Sequence, residues 1–131
     1  MRFEKSVEEK FTVVKLLEEK LDSRISPTLK AEFVNLHALG TKNLILNLSE
    51  VKYVDSSGLS AILAANRLCM GEEGVLVIAH VNPHVAKLIE ISHLNTVLDI
   101  LPTETEAREF VFMRELEKEV SGEEASSSAE S

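Results

Sequence analysis

Apolar positions along the chain fall into short runs separated by amphipathic stretches. Residues 11–17, FTVVKLL, are β-branched and apolar and predict a strand. Ser26-Pro27 predicts a helix start, with Ser as the cap and Pro at the first helical position. Leu29, Phe33 and Leu36 then recur at helical spacing, and Gly40 stands where a left-handed residue closes a helix. The run Leu44-Ile45-Leu46-Asn47-Leu48 is nearly all apolar, as a strand covered on both faces and paired in parallel must be. Val51, Tyr53 and Val54 lead from it into Asp55-Ser56-Ser57-Gly58. A second helix follows over about 57–70, with Leu59, Ile62 and Leu63 as its inward stripe and Cys69 and Met70 filling core at its end.

The pattern repeats downstream. Gly71 and Gly74 bracket a turn before the strand Val75-Leu76-Val77-Ile78-Ala79. Asn82-Pro83 is a second cap-then-proline signal, and Val85, Leu88 and Ile89 give a third amphipathic helix. Residues 97–101 predict a short last strand. Thr103 with Glu106 forms a capping box before a terminal helix over about 104–118, which buries Ala107, Phe110 and Val111. Strands that alternate with helices in this way predict an α/β sheet with mostly right-handed crossovers.

Composition narrows the functional classes. The 131 residues suit one domain. We place it at residues 1–120, followed by an acidic Ser/Glu-rich tail, 121–131, too polar to offset its own ordering entropy. Against 22 acidic residues stand 14 basic ones, a net charge of -8. Such a chain is a poor binder of phosphate backbones, and without Trp and with one Tyr it lacks base-stacking platforms, so no direct nucleic-acid partner is expected. No apolar run approaches the ~20 residues of a membrane span. Together with the single Cys69, this fits a cytoplasmic protein that does not insert into membranes.

Gly-rich nucleotide loops, a GxSxG elbow and HExxH are all missing from the sequence. Among the four histidines only His80 and His84 stand four apart, with Asn82-Pro83 between them, so no helix face carries both. No metal and no cofactor are expected. The informative segment is Asp55-Ser56-Ser57-Gly58, between a predicted strand and a predicted helix, at the strand end where ligands and partners approach open α/β sheets. One reading is plain capping, since Asp and Ser accept the free amides of a first helical turn. The sharper reading is a phosphorylatable serine. A phosphate on Ser56 would add about -1.5 to -2 charges at a helix N-terminus that tolerates an anion, while a closely packed partner would not tolerate it. Ser60, Ala64 and Arg67 follow Ser56 along one side of the helix; Ser60 and Ala64 there form either a shallow docking surface or an ordinary solvated face, with Arg67 read first as a solvated charge.

The segment 43–63, NLILNLSEVKYVDSSGLSAIL, resembles the signature of the STAS domain, in particular of stand-alone bacterial anti-sigma factor antagonists. The likeness continues through Val75-Leu76-Val77-Ile78, Asn82 to Ile89 and Ile91 to Leu94. Upstream it takes in Leu21-Asp22 and Ser26 to Lys30, so that it covers about residues 10–115. It implies a single STAS-type domain, an α/β fold with a mixed, mostly parallel β-sheet and helices packed largely on one side. It also implies a non-enzymatic role: the dephosphorylated protein binds an anti-sigma factor serine kinase and releases a sigma factor. The kinase phosphorylates the first loop serine to break the complex, and a serine phosphatase restores it. Carried onto this chain, the phosphorylated residue is Ser56, and the partner-binding set is Asp22, Asp55, Ser56, Ser57, Gly58, Ser60 and Ala64. Two positions depart from the family pattern: Glu19-Lys20 replaces a Gly-acid pair, and His93 stands where Gly is common.

Two other functions compete. A STAS domain can be an accessory subunit that binds a transporter or lipid-transport ATPase without a phosphorylation cycle. A small enzyme with Ser56 or Ser57 as nucleophile would need a base, for which His80 or His84 is the candidate.

Overall fold

Two apolar surfaces on one sheet explain the architecture. The computed structural model describes the backbone of residues 1–130 and side chains as far as Ser121; the expectation for the tail, 121–131, falls outside the fully described residues. In chain order the elements are β1 (Phe3–Val7), β2 (Thr12–Leu16), β3 (Lys20–Leu21), α1 (Ser26–Ala38), β4 (Leu44–Asn47), β5 (Tyr53–Val54), α2 (Ser56–Gly71), β6 (Leu76–Ala79), α3 (Pro83–Ile91), β7 (Asp99–Leu101) and α4 (Glu104–Glu130).

Five strands form the main sheet in the order β1-β2-β4-β6-β7. Only the β1–β2 hairpin is antiparallel; the other three pairings are parallel. Successive side chains of a strand point to opposite faces, and the core divides accordingly. Val14, Leu16, Leu44, Leu46, Leu76 and Ile78 face α1, α2 and α3, whose Leu29, Phe33, Leu36, Leu59, Ile62, Val85 and Ile89 complete the larger cluster. The intervening Val13, Ile45, Val77 and Ala79 face α4, which contributes Ala107 and Val111. The fold is therefore the expected α/β arrangement with a mixed, mostly parallel sheet, with three helices on one side and a single helix covering the other. Each fully buried Leu or Ile contributes about 1.5–3 kcal/mol, so both faces must be covered for the sheet to persist.

Several expectations need correction. β1 was not expected, because its side chains are mostly exposed and include Glu4 and Lys5. Its charges suit an edge strand, where they discourage pairing with another chain. The last strand starts at Asp99, because Val97 and Leu98 are held in a turn by donating to the Leu94 carbonyl. Met70 is exposed, whereas Cys69 is buried and its thiol is pushed up to about 11 by desolvation. Leu63, Leu88 and Phe110 are half-buried at the edges of their clusters. Ser26 does not cap α1. The residue preceding the helix is Ile25, which supplies no side-chain bond, and the Ser26 hydroxyl turns back to the Asp22 carbonyl. Asn82 behaves as expected and accepts the Val85 amide at 2.8 Å.

Candidate functional site

A two-stranded parallel ladder brings the site together. β3 and β5 pair Lys20 with Tyr53 and Leu21 with Val54, so the next residues, Asp22 and Asp55, emerge side by side. The Asp55 amide continues the ladder by donating to the Leu21 carbonyl at 3.2 Å. Asp55 is extended and caps α2, its carboxylate accepting from the Gly58 amide at 3.0 Å and from the Ser57 hydroxyl at 2.5 Å. Ser57 Oγ also lies 3.1 Å from Ser26 Oγ, and Ser26 Oγ donates to the Asp22 carbonyl at 2.7 Å. The carboxylate of Asp22 faces the other way and accepts from the Arg24 guanidinium at 2.9 Å.

Both carboxyls are held below the usual carboxylate range. For Asp55 the cause is the Ser57 hydroxyl, assisted by the Gly58 amide; for Asp22 it is the Arg24 guanidinium. A depressed carboxylate contributes stability above its unfolded value, near 3.8, and that contribution is lost as pH falls through the lower folded value. Asp55→Asn keeps an acceptor at the cap but cannot ionise. The wild-type chain should therefore melt above Asp55→Asn near neutral pH, and the margin should shrink as pH falls below 3.8. Thermal melts across an acid pH series check this; a margin constant with pH contradicts it.

The two loop serines differ sharply. Ser57 is half-buried and its hydroxyl proton is directed at Asp55. Ser56 is exposed, is the first residue of α2, and its hydroxyl makes no hydrogen bond among the described residues. One turn on, Ser60 is exposed; Ala64 is half-buried beyond it and Arg67 is exposed again. Beside this line lies a depression of about 320 Å³ between the first turns of α1 and α2, lined by Ser23, Ser26, Lys30, Ser57 and Ser60 among others.

Gly58 has a different part. It is buried, and a Cβ there would lie 2.6 Å from the Leu21 carbonyl oxygen and 2.8 Å from Val54 Cγ1. Its contribution within the fold is close approach, seating the first turn of α2 on the β3–β5 ladder. Gly58→Ala is expected to destabilise the domain by about 2 kcal/mol through overpacking. A urea titration checks this, and an unchanged midpoint contradicts it.

The histidines stand apart from the serines. His80 Nε2 accepts the Glu104 amide at 3.1 Å at the start of α4, and His84 is exposed on α3. Among the described residues no histidine hydrogen-bonds Ser56 or Ser57; the group that accepts from the Ser57 hydroxyl is the Asp55 carboxylate. Sequence reasoning missed Ser26 and Arg24, whose roles depend on the turn at Asp22.

The fold and this loop define an α/β module that offers a serine-bearing helix start beyond the C-terminal end of its central strand. The chain belongs to the STAS domain family: the model described as Mlab, STAS domain, matches residues 6–102. Its relatives include the anti-sigma F factor antagonist of Paenibacillus polymyxa, 32% identical over 66 residues, which are 50% of this chain and 56% of that protein. The anti-sigma-B factor antagonist of Staphylococcus aureus is 27% identical over 100 residues, covering 76% of this chain and 92% of that protein. Among solved structures the fold is shared with the anti-sigma factor antagonist SpoIIAA in its unphosphorylated form, at TM-score 0.72 and 22% identity over 84% of this chain and 96% of that one. The phosphorylated form of SpoIIAA, described as a Bacillus cell fate determinant, superposes with TM-score 0.66 at 23% identity over 84% and 99%. Among the described residues no helix is long and apolar enough to cross a membrane.

Proposed function

We propose that this protein is an anti-sigma factor antagonist whose binding to an anti-sigma factor serine kinase in the cytoplasm is switched by phosphorylation of Ser56. The observation that carries the reading is the contrast within the loop. Ser56 presents a free, exposed hydroxyl at the head of α2, while Ser57 is tied into the cap through Asp55. A kinase needs a hydroxyl it can reach and orient, and only the first serine is free in that sense. The helix N-terminus tolerates the resulting dianion, so the charge need not unfold the domain. Its effect falls on the partner, which must desolvate the phosphate to keep contact with Ser60 and Ala64 along α2. Asp22 and Asp55 then act from within, Asp55 as the cap and Asp22 through its carbonyl and its pairing with Arg24. The relatives support the reading: two are named as antagonists of anti-sigma factors, and SpoIIAA has been solved with and without phosphate. A serine phosphatase closes the cycle.

The test is to incubate the full chain with ATP and the soluble serine kinases of the histidine-kinase ATPase type encoded in the same genome, then locate the phosphate by peptide mass. One phosphate on Ser56, absent in Ser56→Ala and retained in Ser60→Ala, is the expected result. Phosphate on Ser57 overturns the assignment. Recovery of a transporter or lipid-transport ATPase by the unmodified chain, with no phosphate transferred by any kinase, would replace the switch with the accessory-subunit reading.

A further inference from the structure

The hydroxyl chain beneath the loop has more contacts than protons. Ser26 Oγ lies 2.7 Å from the Asp22 carbonyl and 3.1 Å from Ser57 Oγ, and Ser57 Oγ lies 2.5 Å from Asp55 Oδ1. Two hydroxyls carry two protons between them, and neither the carbonyl nor the carboxylate can donate. With Ser57 giving its proton to Asp55, Ser26 must divide one proton between Asp22 and Ser57. Ser26 is only 5% exposed, so water does not take over the unmet contact. This residue is the side-chain hydroxyl link between the turn that carries Asp22 and Arg24 and the Ser57 hydroxyl in the first turn of α2, beside the Ser23 backbone amide that bonds the Asp55 cap.

We infer that Ser26 is a positioning residue: its buried hydroxyl locks the Asp22–Ser26 turn to Ser57 and so holds Ser56 and the neighbouring turn as one preformed partner-facing surface. The inference rests on the reading of Ser56 as the phosphorylated residue. Its logic is preorganisation. A loop already fixed in the docking geometry loses less freedom on binding, and the gain shows in affinity more than in the chemical step. Removing the hydroxyl leaves Ser56 chemically untouched and loosens the two turns against each other, while the Asp55 amide still donates to the Leu21 carbonyl. Ala fills nearly the same space and suits a helix start, so Ser26→Ala keeps the fold.

Two measurements on the whole 131-residue chain decide the matter. In the free protein, amide hydrogen exchange at Gly58 should quicken about fivefold in Ser26→Ala, the change expected from losing one ordinary hydrogen bond. Ser60→Ala should leave it unchanged. With the kinase that phosphorylates the wild-type chain, Ser26→Ala should raise KM about fivefold with kcat within about twofold. In a Ser57→Ala background the same substitution should add little to KM, because the link it serves is already gone. Unchanged KM in Ser26→Ala, or an equal rise in both backgrounds, overturns the inference and leaves the Ser56 switch standing. A wild-type chain that no kinase phosphorylates overturns the switch and the positioning role together, and the exchange data then report only how the free loop is held.

Discussion

Gly74→Ala is expected to destabilise the domain by about 3 kcal/mol or more, at the upper end of what overpacking does. A Cβ at this position would fall on the Lys42 carbonyl oxygen, 2.5 Å from its carbon and 3.0 Å from Asn43 Oδ1. These are backbone atoms and a buried amide, so no flexible side chain can swing away. The strain also reaches beyond its origin. Asn43 is 4% exposed and ties four segments: its Oδ1 accepts the Val75 amide at 2.9 Å, and its Nδ2 donates to the Lys10 carbonyl at 2.9 Å and to Glu115 at 2.7 Å. Moving this residue weakens the entry to β6, the entry to β2 and the seat of α4 at once. Equilibrium unfolding in urea measures the loss. A change below about 1 kcal/mol would show that the turn before β6 yields more readily than its packing allows.

The second large effect is on binding. Ser56→Asp should weaken binding to the anti-sigma factor serine kinase by about a hundredfold, equivalent to about 2.7 kcal/mol, while leaving the melting temperature unchanged or slightly higher. Ser56 opens α2, and a carboxylate in a first helical turn is favoured by typically 0.3–1 kcal/mol. Its hydroxyl has no partner to lose among the described residues. The penalty arises only when a partner covers the charge. The neighbouring substitution makes the contrast: Ser57→Asp sets a second carboxylate against Asp55 and removes the donor that holds it, so it should lower the melting temperature. A Ser56→Asp chain that unfolds as readily as Ser57→Asp would mean that the loop is chiefly a structural cap.

The parts of the fold legible in sequence were those whose signal is local. Leu44 to Asn47 and Leu76 to Ala79 are apolar on both faces because both faces are covered, and the run length alone announces it. Asn82-Pro83 announces a helix start because a side-chain acceptor and a fixed backbone angle suffice for one. Ser26-Pro27 carries the same signal and marks the start of α1, but misleads on the cap. Its hydroxyl is captured by a carbonyl four residues back and by a serine from another helix, contacts that sequence spacing does not encode. β3 and β5 have two residues each, too few for any periodicity, and only their pairing reveals why Asp22 and Asp55 meet. Phe3–Val7 hides because an exposed edge strand needs no apolar alternation.

The site was legible in outline for a similar reason. Asp55 as cap follows from helix chemistry, and the structure gives it the Gly58 amide, whereas Gly58 entered through the family resemblance and its close approach to Leu21 and Val54 is a tertiary contact that no spacing encodes. The choice between Ser56 and Ser57 came from family resemblance, since adjacent serines are equivalent to any pattern. The structure distinguishes the two hydroxyls by their unequal hydrogen bonding, which is what the proposed switch is argued from. Asp22 was expected at the partner surface, yet its carboxylate is engaged by Arg24, whose guanidinium side chain is 75% exposed. The outward-facing group of that turn is therefore a cation.

Titration calorimetry of the unmodified and the Ser56-phosphorylated full chain against the anti-sigma factor serine kinase, with ADP in place of ATP to prevent turnover, is the most direct measurement. The expected outcome is firm binding by the unmodified chain and a Kd at least about a hundredfold higher for the phosphorylated one, with both forms melting at similar temperatures. Equal Kd values for the two forms would contradict a switch at Ser56.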